Sequence, residues 1–318
     1  MNTTCSRTSL ACSALALWML YAFGYPTADG MSFRGLKSKQ TTFGAVAELG
    51  PEVSPDGRLL AFEYFHRERP FVPQIWVMDV GLGFESARPL VDNENYNAEF
   101  SWSPDGQWIC YFSHSTGQGT PTSQIYRVRV RDGFTEQITR YPVGSSLSFS
   151  TSWSKDNRIA FEHDGDIYAV EAFGGEPLKL IDVKTKVPSI GSLIIRWSPD
   201  GSRLAFSGEE SDSTTSRIWI AELGTGGIYP ITEGGMPSWY GNDSLLFVRG
   251  SEREAKACAI CLKNRKVECL TADGYDLSPW PSPSKRQIFV ARGSRSPRPK
   301  QSKGFLDGFH IWMYEFGP

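Results

Sequence analysis

One phrase of about a dozen residues recurs six times along the chain: EVSPDGRLLAFEY from Glu52, SWSPDGQWICYFS from Ser101, SWSKDNRIAFEH from Ser152, RWSPDGSRLAFSG from Arg196, SWYGNDSLLFVRG from Ser238 and PWPSPSKRQIFVA from Pro279. Its anchoring position is Val53, Trp102, Trp153, Trp197, Trp239 and Trp280, a spacing of 41 to 51 residues. A period in this range marks a repeat architecture, in which each unit buries its apolar face only against its neighbours.

A second phrase follows each copy: QIWVMDV from Gln74, QIYRVRV from Gln124, DIYAVEA from Asp166, RIWIAEL from Arg217, ACAICLK from Ala257 and HIWMYEF from His310. A third strand-like piece ends the first five units, as in PLV, QIT, LKLI, YPIT and ECLT. With the stretch leading into the anchor, each unit supplies four strands, and no helix-period segment interrupts them. Four-stranded units of this length are propeller blades. The expected fold is therefore all-β: a six-bladed β-propeller of four-stranded antiparallel blades.

The sixth unit ends at HIWMYEFGP without a piece for its outer strand. LKSKQTT, Leu36 to Thr42, stands just before the first blade and is expected to complete the sixth, closing the ring and removing an exposed edge. The Ser-Pro-Asp-Gly turn has a local cause. Pro presets φ, Asp bonds nearby backbone, and Gly tolerates the exit geometry. Asp56, Asp105 and Asp200 are thus turn formers, and the aromatic anchors are core residues.

Residues 1–35 differ in kind. An apolar stretch, LACSALALWMLYAFGY, runs from Leu10 to Tyr25 after a start that carries only Arg7. It is short for a bilayer span, and Ala22 and Gly24 suit cleavage after Gly24, so residues 1–24 read as a secretory signal, with an uncleaved anchor as the alternative. A linker, 25–35, and a propeller, 36–318, follow. Export permits a disulfide among Cys110, Cys258, Cys261 and Cys269. Cys261 and Cys269 flank the turn LKNRKVE and are a conceivable cross-strand pair, while CAIC lies on an alternating strand that places its two thiols on opposite faces. A net charge of −2 gives no global reason to expect nucleic acid.

The recurring Trp-Ser-Pro-Asp-Gly, followed by an apolar strand and then Ile-Trp or Ile-Tyr, resembles the TolB-like six-bladed propeller family from about residue 36 onward. The resemblance implies one of several roles: a periplasmic partner-binding module, the gating domain of certain serine peptidases, or the scaffold of a few polysaccharide lyases. TolB carries an α/β domain ahead of its propeller, and only a short segment stands there in this sequence. No Gly-x-Ser-x-Gly occurs, so a peptidase nucleophile of that type is not expected.

Loops that leave second strands and lead into innermost strands share one face, around the channel mouth. Three histidines fall just after second strands: His66, His114 and His163. Imidazoles from consecutive blades could hold a divalent metal, similar to the metal site of the lyase branch. Solvated loop histidines are the simpler reading, since second strands diverge with radius. Glu52 and Glu99 stand near the channel mouth as candidate ligand-binding acids. The loop ARGSRSPRPKQSKGFLDGFH brings Arg292, Arg295, Arg298, Lys300 and Lys303, joined around the ring by Arg249 and Arg67. These form either a solvated flap or an arc that accepts an acidic protein or an anionic polysaccharide. The expected function is an exported, monomeric, non-enzymatic binding propeller of the cell envelope that needs no cofactor. The alternative is a metal-dependent polysaccharide lyase or hydrolase using the three histidines.

Overall fold

The computed structural model describes residues 36–44, 47–115, 122–142, 147–187, 190–210, 216–250, 254–271, 275–293 and 308–316. Residues 1–35, with the signal and linker readings, lie outside them. The described chain is almost wholly β. A first strand, β1 (Lys37–Gln40), precedes blade one, which is β2 (Ala47–Val53), β3 (Leu59–His66), β4 (Arg69–Asp79) and β5 (Arg88–Val91). Blade two is β6 (Tyr96–Trp102), β7 (Trp108–His114), β8 (Ser123–Arg129) and β9 (Thr135–Gln137). Blade three is β10 (Leu147–Trp153), β11 (Arg158–His163), β12 (Asp166–Glu171) and β13 (Leu178–Ile181), followed by a single helical turn, α1 (Val183–Lys186).

Blade four holds β14 (Ile190–Trp197), β15 (Arg203–Glu210), β16 (Ser216–Glu222) and β17 (Ile228–Glu233). Blade five holds β18 (Gly235–Trp239), β19 (Ser244–Arg249), β20 (Lys256–Cys261) and β21 (Val267–Cys269), and blade six β22 (Asp276–Pro281), β23 (Gln287–Arg292) and β24 (His310–Glu315). Every sheet has four antiparallel strands; in the sixth, β1 lies outermost and pairs with β24, Lys37 opposite Glu315 and Gln40 opposite Trp312. Successive innermost strands touch in order around the ring, and β22 touches β2.

Apolar clusters fill the spaces between neighbouring blades. Ile75 and Val77 of blade one meet Trp102 and Ile109 of blade two, and Ile218 and Ile220 of blade four meet Trp239 and Phe247 of blade five. At the closing seam, Leu60, Phe62 and Met78 of blade one meet Phe289 and Ile311 of blade six. This alternation explains why each repeat needs its neighbour: one face of a blade is covered only by the next.

The turn phrase acts as its residues require. Ser54 Oγ donates to Asp56 Oδ1 at 2.6 Å, and the Arg58 N–H donates to that same oxygen at 3.0 Å. Gly57 takes φ 78°, where an L side chain is strained. Blades two and four repeat the arrangement around Asp105 and Asp200. Where the Gly is replaced, Asn157 and Lys285 hold the left-handed conformation instead.

The disulfide joins Cys258 to Cys269, which lie directly opposite each other in the β20–β21 ladder; Cys261 is buried and outside that bond. The Cys261–Cys269 expectation is corrected by register. Flanking the turn is not enough, because Cys258, three residues before Cys261 on β20, is the residue that faces Cys269.

Candidate functional site

Each innermost strand carries a β-bulge against its second strand. The pairing slips between Leu49 and Glu52, Ala98 and Ser101, Leu147 and Thr151, Gly191 and Ile194, Gly235 and Ser238, and Leu277 and Trp280. A bulge re-aims the residues that follow it, and six at one level reshape the channel wall together. Gly50 takes φ 57° at the first bulge, which glycine accepts freely. Glu99, at the same position of blade two, holds φ 48° as a non-glycine residue.

The position just before each anchor is Glu52, Ser101, Ser152, Arg196, Ser238 and Pro279. Three of these are serines that knit adjacent blades: Ser101 Oγ accepts from the Trp153 N–H, Ser152 Oγ accepts from the Trp197 N–H, and Ser238 Oγ donates to the Pro279 carbonyl. Blades one and four lie across a six-membered ring from each other, and there the serine gives way to an acid and a base. The Arg196 guanidinium stands 3.9 Å from Glu52 and 3.5 Å from Glu99. It also donates to the Ile195 carbonyl at 2.9 Å and lies over the Trp280 ring, 5.6 Å from its centroid.

Two cavities meet at this pair. One, of about 110 Å³, lies among the bulged halves of the innermost strands and is lined by Glu52, Glu63, Glu99 and Arg196 with Leu49, Phe100, Met236 and Leu277. The other, of about 400 Å³, lies among the Trp-Ser-Pro turns and is walled by all five anchor tryptophans. Glu52, Arg196 and Trp280 line both. The anchors are therefore core and channel wall at once.

Three carboxyls share the smaller cavity. Glu52 is 3% exposed, and neither of its oxygens makes a hydrogen bond of good geometry. Burial pushes its carboxyl up to about 8, against the pull of Arg196 and with a further push from Glu99. Glu63 accepts the Glu99 N–H at 2.8 Å, yet burial and the Glu99 charge also raise it to about 8. Glu99 is raised by burial, with Arg196 opposing. Near neutral pH the cavity holds protonated carboxyls beside one guanidinium. Such groups can donate or accept hydrogen bonds, and they give up protons when a positive charge arrives.

Glu52 and Glu99, read from the sequence as channel-mouth acids, are thus brought together, and Glu63 and Arg196 join them without having been singled out. Their signals were present: Arg196 breaks the serine pattern before the anchor, and Glu63 interrupts the apolar second strand LLAFEYF.

The three histidines have separate partners. His66 lies 3.7 Å from Asp92 and edge-on to Tyr64, His114 shares a 2.9 Å hydrogen bond with Ser123, and His163 packs on Tyr141 and Tyr168. Among the described residues no group of three or more His, Cys, Asp or Glu side chains could hold a metal ion. Of the basic arc, Arg67 and Arg249 are exposed, and Arg249 donates to Thr232 Oγ1. Arg292 grips the buried Asp276 carboxylate through two contacts of 2.7 and 3.0 Å, so its charge is balanced inside the blade. Arg295, Arg298, Lys300 and Lys303 lie outside the described residues. Among the described residues no helix is long and apolar enough to cross a membrane.

No protein-family model matches the chain. An uncharacterized protein of Agrobacterium fabrum is 31% identical over 165 residues, covering 48% of this chain and 52% of that one. TolB from Acinetobacter baumannii superposes on 80% of this chain and 60% of its own with a TM-score of 0.62 at 18% identity. An oligogalacturonate lyase in complex with manganese does so over 88% and 80% with a TM-score of 0.53 at 14% identity. The match thus spans about half the length of that relative. At these identities the structural likeness is one of fold, and solved structures similar to this chain are TolB-like six-bladed β-propellers.

Proposed function

We propose that this chain is an exported, non-enzymatic binding propeller of the cell envelope that recognises a protein partner on the face where the bulged innermost strands open. The observation that carries this reading is the cavity floored by the opposed Glu52 and Arg196, a recessed polar site held on six interlocked strands. Rigid strands that set buried charged groups beneath a ring of variable loops suit recognition of a projecting side chain or segment. Exposed Arg67 and Arg249 on the rim add a surface for acidic groups of the same partner. The segment between β23 and β24 carries the further cations Arg295, Arg298, Lys300 and Lys303.

The test is affinity capture from an envelope fraction with the wild-type chain and with Arg67→Gln/Arg249→Gln. Exposed substitutions of this kind change stability by less than about 0.5 kcal/mol. A protein retained by the wild type should be lost as salt rises and retained less by the variant, because exposed charges are screened beyond roughly 8 Å at physiological ionic strength. Retention of an anionic polysaccharide instead, or depolymerisation of oligogalacturonate by the purified chain with manganese added, would overturn the reading.

A further inference from the structure

We propose that the 110 Å³ channel cavity receives the cationic end of a lysine or arginine side chain projecting from the partner, held by Glu52, Glu63 and Glu99. This rests on the reading of that face as a partner-binding surface.

Several independent features converge on it. The carboxyls outnumber the one arginine three to one, so an added cation still finds a carboxyl to balance it. Glu52 is buried, lines the cavity, and has both oxygens without a hydrogen bond, an arrangement that costs free energy until a donor arrives. The rest of the lining suits a long basic side chain: Leu49, Phe100, Met236 and Leu277 offer apolar surface to the methylene stem beside the acids. The volume is less than the roughly 150 Å³ of an engineered cavity that admits benzene, and a guanidinium or ammonium group is smaller than benzene. Glu99 holds a left-handed φ at the wall, and its N–H fixes the Glu63 carboxyl, so the acids are positioned before any ligand arrives.

Proton linkage follows from the groups in and around the cavity. Glu52 and Glu63 come from blade one, Glu99 and the Tyr96 phenol from blade two, and Arg196 from blade four. The Cys110 thiol behind Glu52 is pushed up to about 12 by burial. That thiol keeps its proton between pH 7 and 9, and burial beside Glu63 raises the Tyr96 phenol well out of that range. Glu52 and Glu63 are the carboxyls that change charge across that window, and a cation that docks must expel a proton from one of them.

The experiment is isothermal titration calorimetry of the full chain with Nα-acetyl-arginine amide and Nα-acetyl-lysine amide, using the acetyl-citrulline amide as a neutral isostere. At least one cation should bind roughly tenfold more tightly at pH 9 than at pH 7, since a carboxyl with a pKa of about 8 is about one-tenth ionised at pH 7. Binding at pH 7 should release protons, read from the dependence of the heat on buffer ionisation enthalpy. Citrulline should not bind, and Glu52→Gln should weaken the cation at least tenfold. The proton release is measured on the wild type, so the test survives a variant that fails to fold. Equal binding of citrulline, binding without proton release, or no heat at either pH would overturn the proposal. Partner capture that persists when no cation binds removes this site and leaves the binding module intact. Cation binding with proton release, but no partner on this face, leaves the site standing and removes the module.

Discussion

Two carboxyls with pKa values near 8 make the channel a place where folding and protonation are coupled. In the unfolded chain Glu52 and Glu63 titrate near 4.5, and in the folded one near 8, so between those values the folded state holds more protons than the unfolded. Their penalty on folding is absent below about pH 4.5, grows as pH rises, and levels off above about pH 8. Denaturant unfolding followed from pH 5 to 9 should show stability falling over that window. In Glu52→Gln the fall should be shallower, so that the stability of the variant relative to wild type rises as pH goes from 5 to 9. A variant whose curve runs parallel to wild type would mean that Glu52 is solvated. Glu52 and Glu99 were legible as channel acids because they flank an anchor on an innermost strand. Glu63 and Arg196 were not, because a sequence does not say which blades face each other until the ring is counted, and because the bulges change which side chains turn inward.

At the scale of the element, the turns were the most readable part, since Ser-Pro-Asp-Gly makes most of its hydrogen bonds within six residues. Asp200 is held down to about 2, first by the Ser198 hydroxyl and then by the Ser202 N–H. Its contribution is present above about pH 4 and is lost as pH falls through about 2. Asp105→Ala should remove the matching hydrogen bonds in blade two and cost about 1 kcal/mol in chemical denaturation at neutral pH. The disulfide was less readable, because two of the four cysteines lie on one strand and only the ladder register decides which of them faces Cys269. Its closed loop spans 11 residues, for which the loop-closure model gives a stabilisation of at most about 3 kcal/mol. Reduction, or Cys258→Ala, should lower the unfolding midpoint accordingly. Equal midpoints with and without reductant would show that the pair contributes nothing beyond what the ladder already holds.

At the scale of the whole molecule, six blades make six seams, and one of them must join the two ends of the described chain. The period of the repeat made the ring legible, but the chemistry of that seam comes from residues outside the repeated phrases. Glu48, fully buried on β2, accepts from the Thr42 hydroxyl at 3.0 Å and pairs with His310 Nδ1 of β24 at 2.7 Å. Thr42 Oγ1 in turn accepts the Ile311 N–H at 2.8 Å, and the Glu48 N–H donates to the Phe309 carbonyl. One carboxylate thus ties the segment after β1, the innermost strand of blade one and the last strand of blade six. Removing it strands a buried hydroxyl and the imidazole together, and breaking a buried pair from one side costs about 3 to 5 kcal/mol. Glu48→Ala should therefore lower stability by about 3 kcal/mol, His310 being partly exposed and able to recover water. The loss should be local before it is global. Amide exchange should quicken first at Thr42, Glu48 and Ile311, while the blade-three ladder between β11 and β12 keeps its protection, because a solenoid-like ring opens where its ends meet. Exchange that quickens equally in blade three would mean that the six seams share their stability evenly, and that Glu48 does not act as the clasp of the ring.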